Sequence, residues 1–218
     1  MKVVVFDLDD TLYNEIDYLK SAFKEISLKL EVEYGLNDVY NIMMEAFYEH
    51  KNVFEFINNY YSISFPIDEY LQIYRYHKPK IILNNEVVKT LNDLKMSGVE
   101  IGLITDGRTI TQKNKIYALG LNQFIKSDCI IISEEFGSEK PNVNNFLYFN
   151  DKFEFGNFYY IGDNTKKDFV APNNLNWITV CLMDSGKNIH PQCFNQNLNY
   201  LPKYKIENIS YLTEIINK

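Results

Sequence analysis

Asp7 and Asp9 stand two residues apart at the end of the apolar run Val3-Val4-Val5-Phe6, with Thr11 two places further on. On an extended strand that spacing puts both carboxylates on one side. At a strand's carboxyl end, where open α/β sheets bind ligands, one Asp can attack as a nucleophile. The other can move protons, provided a cation holds the pair together. Read alone, the stretch is equally a strand running into an acidic turn, because Asp and Thr are ordinary turn and N-cap residues.

Three further polar clusters follow apolar, strand-like runs. Thr105-Asp106-Gly107 comes after Ile101-Gly102-Leu103-Ile104, and a hydroxyl beside backbone N–H groups freed by glycine can form a nest for a phosphoryl group. Lys140 precedes Pro141, a residue able to begin a helix. Gly162-Asp163 closes Tyr159-Tyr160-Ile161, with Asp168 five positions on, which suggests a hard-cation site. Taken singly, Thr-Asp-Gly and Gly-Asp are turn signals, and a lone Lys before Pro is a solvated loop residue. Taken together they are not neutral. Two like charges 4 Å apart cost roughly 4 kcal/mol at an effective dielectric of 20, and four acids at one mouth need Mg²⁺ and a lysine to offset them.

The elements that must position these groups are legible from periodicity. Lys2–Phe6 reads as a strand. From about Glu15 to His77 the pattern turns helical: Leu19, Ala22, Phe23, Ile26 and Leu30 recur at helical spacing, as do Val39, Ile42, Met43, Ala46 and Phe47. Val53, Phe56, Ile57 and Tyr60 suggest a third helix, and Pro66 opens a fourth. Beyond Ile82 the text alternates: helix Val87–Met96 stopped at Gly98, strand Val99–Thr105, helix Thr111–Leu119, strand Asp128–Ser133, helix Pro141–Phe149, strand Phe158–Ile161, helix Lys167–Ala171 and strand Trp177–Leu182. Residues 184–203 read as loop and Ile209–Ile216 as a closing helix. The expectation is an α/β, Rossmann-like parallel sheet with helices on both faces, residues 1–13 and 84–218, interrupted by a helical insert over residues 14–83.

Composition bounds the partners. The chain has 218 residues, 46% hydrophobic and 23% charged, with a net charge of −7. Those values suit an ordinary soluble protein and count against a nucleic-acid polymer as partner. No apolar run approaches bilayer length and the N-terminus lacks the regions of a signal peptide, so a cytoplasmic protein without a membrane partner is expected. Cys129 and Cys181 sit in apolar runs and read, with Cys193, as reduced thiols without ligand spacing. Nine of the 17 tyrosines fall in the insert and read as packing before ligand stacking; His50, His77 and His190 match no ligand spacing.

Asp7-x-Asp9-x-Thr11, strand-terminal Thr105, Lys140-Pro141 and Gly162-Asp163-x-x-x-x-Asp168 resemble, in order and separation, the four signature motifs of the haloacid dehalogenase superfamily. The likeness spans essentially the whole chain. The insert is similar to that family's α-helical cap, and Gln112, Lys115 and Ser133-Glu134 loosely resemble its nucleotidase and N-acylneuraminate-9-phosphatase branch.

The resemblance implies a Mg²⁺-dependent phosphatase of a small phosphomonoester: a sugar phosphate, a nonulosonate phosphate or a nucleotide. Asp7 would be the nucleophile and Asp9 the acid and base. Asp7, the Asp9 carbonyl and Asp163 would hold Mg²⁺, with Asp168 supporting them. Thr105, the Asp106 and Gly107 amides and Lys140 would hold the phosphoryl group. Thr11 would brace the loop, and Asp10 would hydrogen-bond locally. Asp9 disfavours dehalogenation, since the family's dehalogenases lack an acid there. A phosphomutase would share all four motifs, and a binding module that has lost catalysis would keep the fold. No oligomeric state is readable.

Overall fold

The computed structural model describes residues 1–217. Its frame is a six-stranded, wholly parallel sheet in the order β3-β2-β1-β4-β5-β6. The strands are β1 (Lys2–Phe6), β2 (Glu100–Thr105), β3 (Ile130–Ile132), β4 (Asn157–Gly162), β5 (Ile178–Leu182) and β6 (Tyr204–Ile206). The chain leaves β1, pairs β2 on one side, and later adds β4 on the other. That reversal makes β1 the switch point, where a crevice opens beyond the strand ends. Val3, Val4, Val5 and Phe6 are all 0% exposed, so both sheet faces at β1 are covered. A run of β-branched residues without alternation is what such a strand requires.

The chain divides into two compact units: Met1–Glu15 with everything from Ile82 onward, and Ile16–Ile81. The second is built from α1 (Glu15–Tyr34, which begins at the edge of the first), α2 (Val39–Tyr48), α3 (Val53–Tyr61) and α4 (Ile67–Tyr76). Ile16, Leu19, Ala22, Phe23, Ile26 and Leu30 make the buried stripe of α1 at the expected period. Tyr70 is fully buried and stacks on Phe54 at 4.7 Å. The packing reading holds for Tyr18 and Tyr70, whereas Tyr34, Tyr48, Tyr60 and Tyr76 are exposed.

In the sheet unit, α5 (Asn85–Met96) is capped by Asn84, whose side chain accepts from the Val87 amide, and ends at Gly98 with φ +71°. It packs against the closing helix α10 (Leu212–Ile216), which follows a 3₁₀ turn at Ile209–Tyr211. α6 (Thr109–Ala118) follows β2; α7 (Ser133–Phe136), α8 (Asn144–Lys152) and α9 (Val170–Asn174) complete the unit.

Several boundaries differ from the sequence reading. The expected strand 128–133 contains only Ile130–Ile132, because Ser127–Cys129 forms a 3₁₀ turn and Ser133 already starts α7. The helix expected from Pro141 starts at Asn144, after a turn in which Asn142 N–H donates to Glu139 O. The helix expected at 167–171 starts at Val170, because the preceding segment is drawn into a turn around Asp168. β6 lies just past the expected loop 184–203 and is not anticipated by the sequence; its three residues, Tyr204–Ile206, are too few to show a period. Among the described residues no helix is long and apolar enough to cross a membrane. Cys129 and Cys181 are buried and Cys193 exposed, all as free thiols.

Candidate active site

β1, β2 and β4 are neighbours, so their carboxyl ends open on one crevice. Phe6 pairs with Leu103 on one side and Ile161 on the other, and the Asp7 amide donates to Ile161 O at 2.8 Å. Thr105 and Asp163 therefore both fall one register position beyond Asp7 at the same edge of the sheet. The four sequence clusters meet here.

Lys140 is their hub. Its Nζ lies 2.6 Å from Asp7 Oδ1 and 2.8 Å from Asp168 Oδ1, and donates to Tyr160 Oη at 3.0 Å. The Lys140 side chain is completely buried. Burial alone would strip the proton from such an amine; Asp168 and Asp7 instead hold it an ammonium, with its pKa well above the usual lysine value. The solvated-loop reading of Lys140 is excluded by that burial.

Ligand oxygens of Asp7, Asp163 and Asp168 lie within 4.8 Å of one another. Asp168 Oδ2 accepts the amides of Asn164 at 2.8 Å and Asp163 at 3.2 Å, which fixes the turn carrying Asp163. Gly162 permits this approach: a Cβ there would lie 2.4 Å from Asp168 Oδ2. Burial pushes Asp7 up to about 7 despite Lys140, with Asp168 adding to the rise. Burial, then the Asp7 and Asp168 charges, push Asp163 up to about 9. A divalent cation among these carboxylates would relieve that repulsion, so the donor set fits the hard, oxygen-ligated ion the sequence suggests.

Asp7 and Asp163 line a cavity of 160 Å³ together with Asp9, Asp10, Glu15, Asp106, Asn164, Lys167 and His190. Thr105 is fully buried, and its Oγ1 accepts from Gln112 Nε2. The Gly107 amide donates to Ser133 Oγ at 2.9 Å. Asp106 accepts the Lys140 amide at 3.0 Å on one oxygen and Lys167 Nζ at 2.7 Å on the other.

Asp9 is held by three donors. Oδ1 accepts from Tyr13 Oη and from Lys115 Nζ at 2.7 Å; Oδ2 accepts from Gln112 Nε2 at 3.0 Å. Burial would raise its pKa, but Lys115 and the three hydrogen bonds hold it below the ordinary aspartate value. Two adjacent carboxylates are thus set apart, Asp7 upward and Asp9 downward.

Asp10 has φ +55° and acts as a bracket, as expected: it accepts the amides of Glu15 at 2.8 Å and Ile189 at 2.9 Å. Thr11 differs from expectation. Its buried hydroxyl has no partner among the described residues, so it braces nothing through its side chain.

Sequence reasoning missed Tyr13, Lys167, Asn188 and His190. Asn188 Nδ2 donates to Asp163 Oδ2 at 2.8 Å, and His190, which matches no ligand spacing in the sequence, is exposed and lines the cavity. Both come from residues 184–203, whose composition signals only loop. Gln112 and Lys115 were legible as an i, i+3 pair sharing one helix face, but nothing local pointed them at Asp9.

A parallel sheet with a carboxylate and lysine site at its switch point defines a class, and comparison with known proteins supplies the family. Residues 4–182 match the model of the haloacid dehalogenase-like hydrolases, and the chain belongs to that family. Within it the chain is a hydrolase of phosphoric monoesters. It is 32% identical over 197 residues to the glyceraldehyde 3-phosphate phosphatase of Methanocaldococcus jannaschii, covering 84% of this chain and 85% of that protein. The Methanopyrus kandleri protein of the same name is 25% identical, covering 100% of this chain and 98% of its own. Among solved structures, the HAD-hydrolase YfnB from Bacillus subtilis, crystallised with magnesium, superposes with a TM-score of 0.69 at 20% identity, covering 100% of this chain and 99% of that one. That likeness concerns the fold.

Proposed function

We propose that this chain is a Mg²⁺-dependent phosphatase of a small sugar phosphate, with glyceraldehyde 3-phosphate the first substrate to test. The observation that carries this reading is the Lys140 ammonium bonded at once to Asp7 and Asp168, with Asp163 beside them. It is the charge arrangement that a nucleophilic carboxylate facing a phosphate dianion needs. The relatives named glyceraldehyde 3-phosphate phosphatase support the substrate class.

Asp7 attacks phosphorus in line; a P–O bond forms to its carboxylate as the bond to the sugar oxygen breaks. Asp9, which must hold a proton against the pull of Lys115 when substrate is bound, gives it to the departing alkoxide. It then takes one from the water that attacks the aspartyl-phosphate, and inorganic phosphate leaves. Lys140 neutralises Asp7 against the incoming anion, while the Thr105 hydroxyl and the Asp106 amide receive phosphoryl oxygens; the Gly107 amide, expected to do the same, donates instead to Ser133 Oγ. Magnesium, held by Asp7, the Asp9 carbonyl and Asp163 with Asp168 orienting the turn, would supply charge neutralisation at the phosphoryl oxygens.

The test is phosphate release from a panel of sugar phosphates, nonulosonate phosphates and nucleotides, with and without Mg²⁺, beside Asp7→Asn. Release that needs the cation and falls about 10⁴-fold or more in Asp7→Asn supports the reading. A folded protein that releases no phosphate from any member overturns it.

A further inference from the structure

Lys115 is 3% exposed, and a lysine is seldom buried so deeply without a charge partner. Its Nζ lies 2.7 Å from Asp9 Oδ1, and the two side chains are 4% and 19% exposed. Gln112, one helical turn earlier on α6, reaches Oδ2 of the same carboxylate at 3.0 Å. Tyr13 closes the arrangement on Oδ1. A carboxylate offers about four acceptor positions. Three are taken by residues outside the four signature motifs, leaving one on Oδ2 of a side chain that lines the cavity.

We propose that Lys115 is a positioning residue for Asp9: with Gln112 it pins the carboxyl so that the remaining position of Oδ2, where the transferred proton sits, stays turned toward the substrate's leaving oxygen. The inference rests on Asp9 being the acid of the proposed reaction. Lys115 acts through Asp9. An aspartate free to rotate would spend much of its time turned away from the reacting oxygen, and misplacement by about 1 Å can cost about 100-fold. The loss falls on substrates whose leaving group must be protonated. An aryl phosphate such as p-nitrophenyl phosphate, whose phenolate leaves without a proton, escapes it in the step that forms the aspartyl-phosphate, whereas the later hydrolysis needs Asp9 with either substrate.

The experiment compares the single-turnover rate of leaving-group release from the preferred sugar phosphate and from p-nitrophenyl phosphate for wild type, Asp9→Asn, Lys115→Met and Lys115→Arg, with circular dichroism to establish folding. Asp9→Asn is expected to lose about 10²–10⁴-fold on the sugar phosphate and far less on the aryl ester. Lys115→Met should show the same selectivity at roughly 10- to 100-fold, with KM little changed. Lys115→Arg, which keeps the charge should Lys115→Met not fold, should lie between it and wild type. Equal losses on both substrates for folded Lys115 variants, beside a selective loss for Asp9→Asn, overturn the inference and make Lys115 merely structural. Equal losses for Asp9→Asn overturn instead the reading of Asp9 as the acid.

Discussion

Lys140 Nζ and Asp7 Oδ1 lie 2.6 Å apart although 133 residues separate them in the chain, and neither side chain is more than 8% exposed. A pair brought together over that distance and sealed from water carries both stability and charge balance. Removing one partner leaves the other as a buried, uncompensated charge.

Lys140→Met should therefore lose activity and about 3–5 kcal/mol of stability in metal-free protein. Urea unfolding at neutral pH reads it. A cost under about 1 kcal/mol would mean that the remaining carboxylates simply share a proton.

The acid cluster predicts a pH dependence with a definite sign. In the metal-free fold Asp7 is raised to about 7 and Asp163 to about 9, from an ordinary value of 3.8. Between those values the fold binds more protons than the unfolded chain, so stability falls as pH rises. Melting in chelator should give a temperature that declines from about pH 4 towards 9. The rise on adding Mg²⁺ should be larger at pH 8 than at pH 5, because the cation binds the ionised set. A magnesium shift independent of pH would contradict this.

Gly162→Ala places a methyl group where Asp168 Oδ2 would be 2.4 Å away. Asp168 must move and release the Asp163 and Asn164 amides that it accepts. Expected are a loss of about 1–3 kcal/mol and a weakened response to Mg²⁺. An unchanged magnesium titration would show that the turn tolerates the shift.

Lys167 lines the cavity, and its Nζ sits 2.7 Å from Asp106 Oδ2. An ammonium beside the phosphoryl cradle should contribute mainly to binding the anionic substrate. Lys167→Met is expected to raise KM by roughly 10-fold, and the Ki of inorganic phosphate with it, consistent with losing one charge-assisted hydrogen bond. If kcat falls while KM holds, the lysine acts on the transition state instead.

What the sequence determined by itself was whatever is coded within a few residues. β1 could be read because Val3–Phe6 is apolar without alternation, as a doubly covered strand must be. The α1 stripe could be read from its 3.6-residue period. Asp7, Thr105 and Asp163 could be singled out because each ends or follows an apolar run, where an open sheet places its ligands, and Lys140 because it precedes Pro141 in company with them. Only the tertiary structure decided what those residues face. Lys140 taken singly reads as a solvated loop residue, and its burial between Asp7 and Asp168 comes only from the fold that brings β1 and β4 together around it. The grip of Tyr13, Gln112 and Lys115 on Asp9 joins segments 4, 103 and 106 residues away, and the Asn188 bond to Asp163 spans 25. Such contacts leave no periodicity in the chain. They depend on sheet order, on backbone direction beyond each strand, and on the cost of burying a charge without a partner.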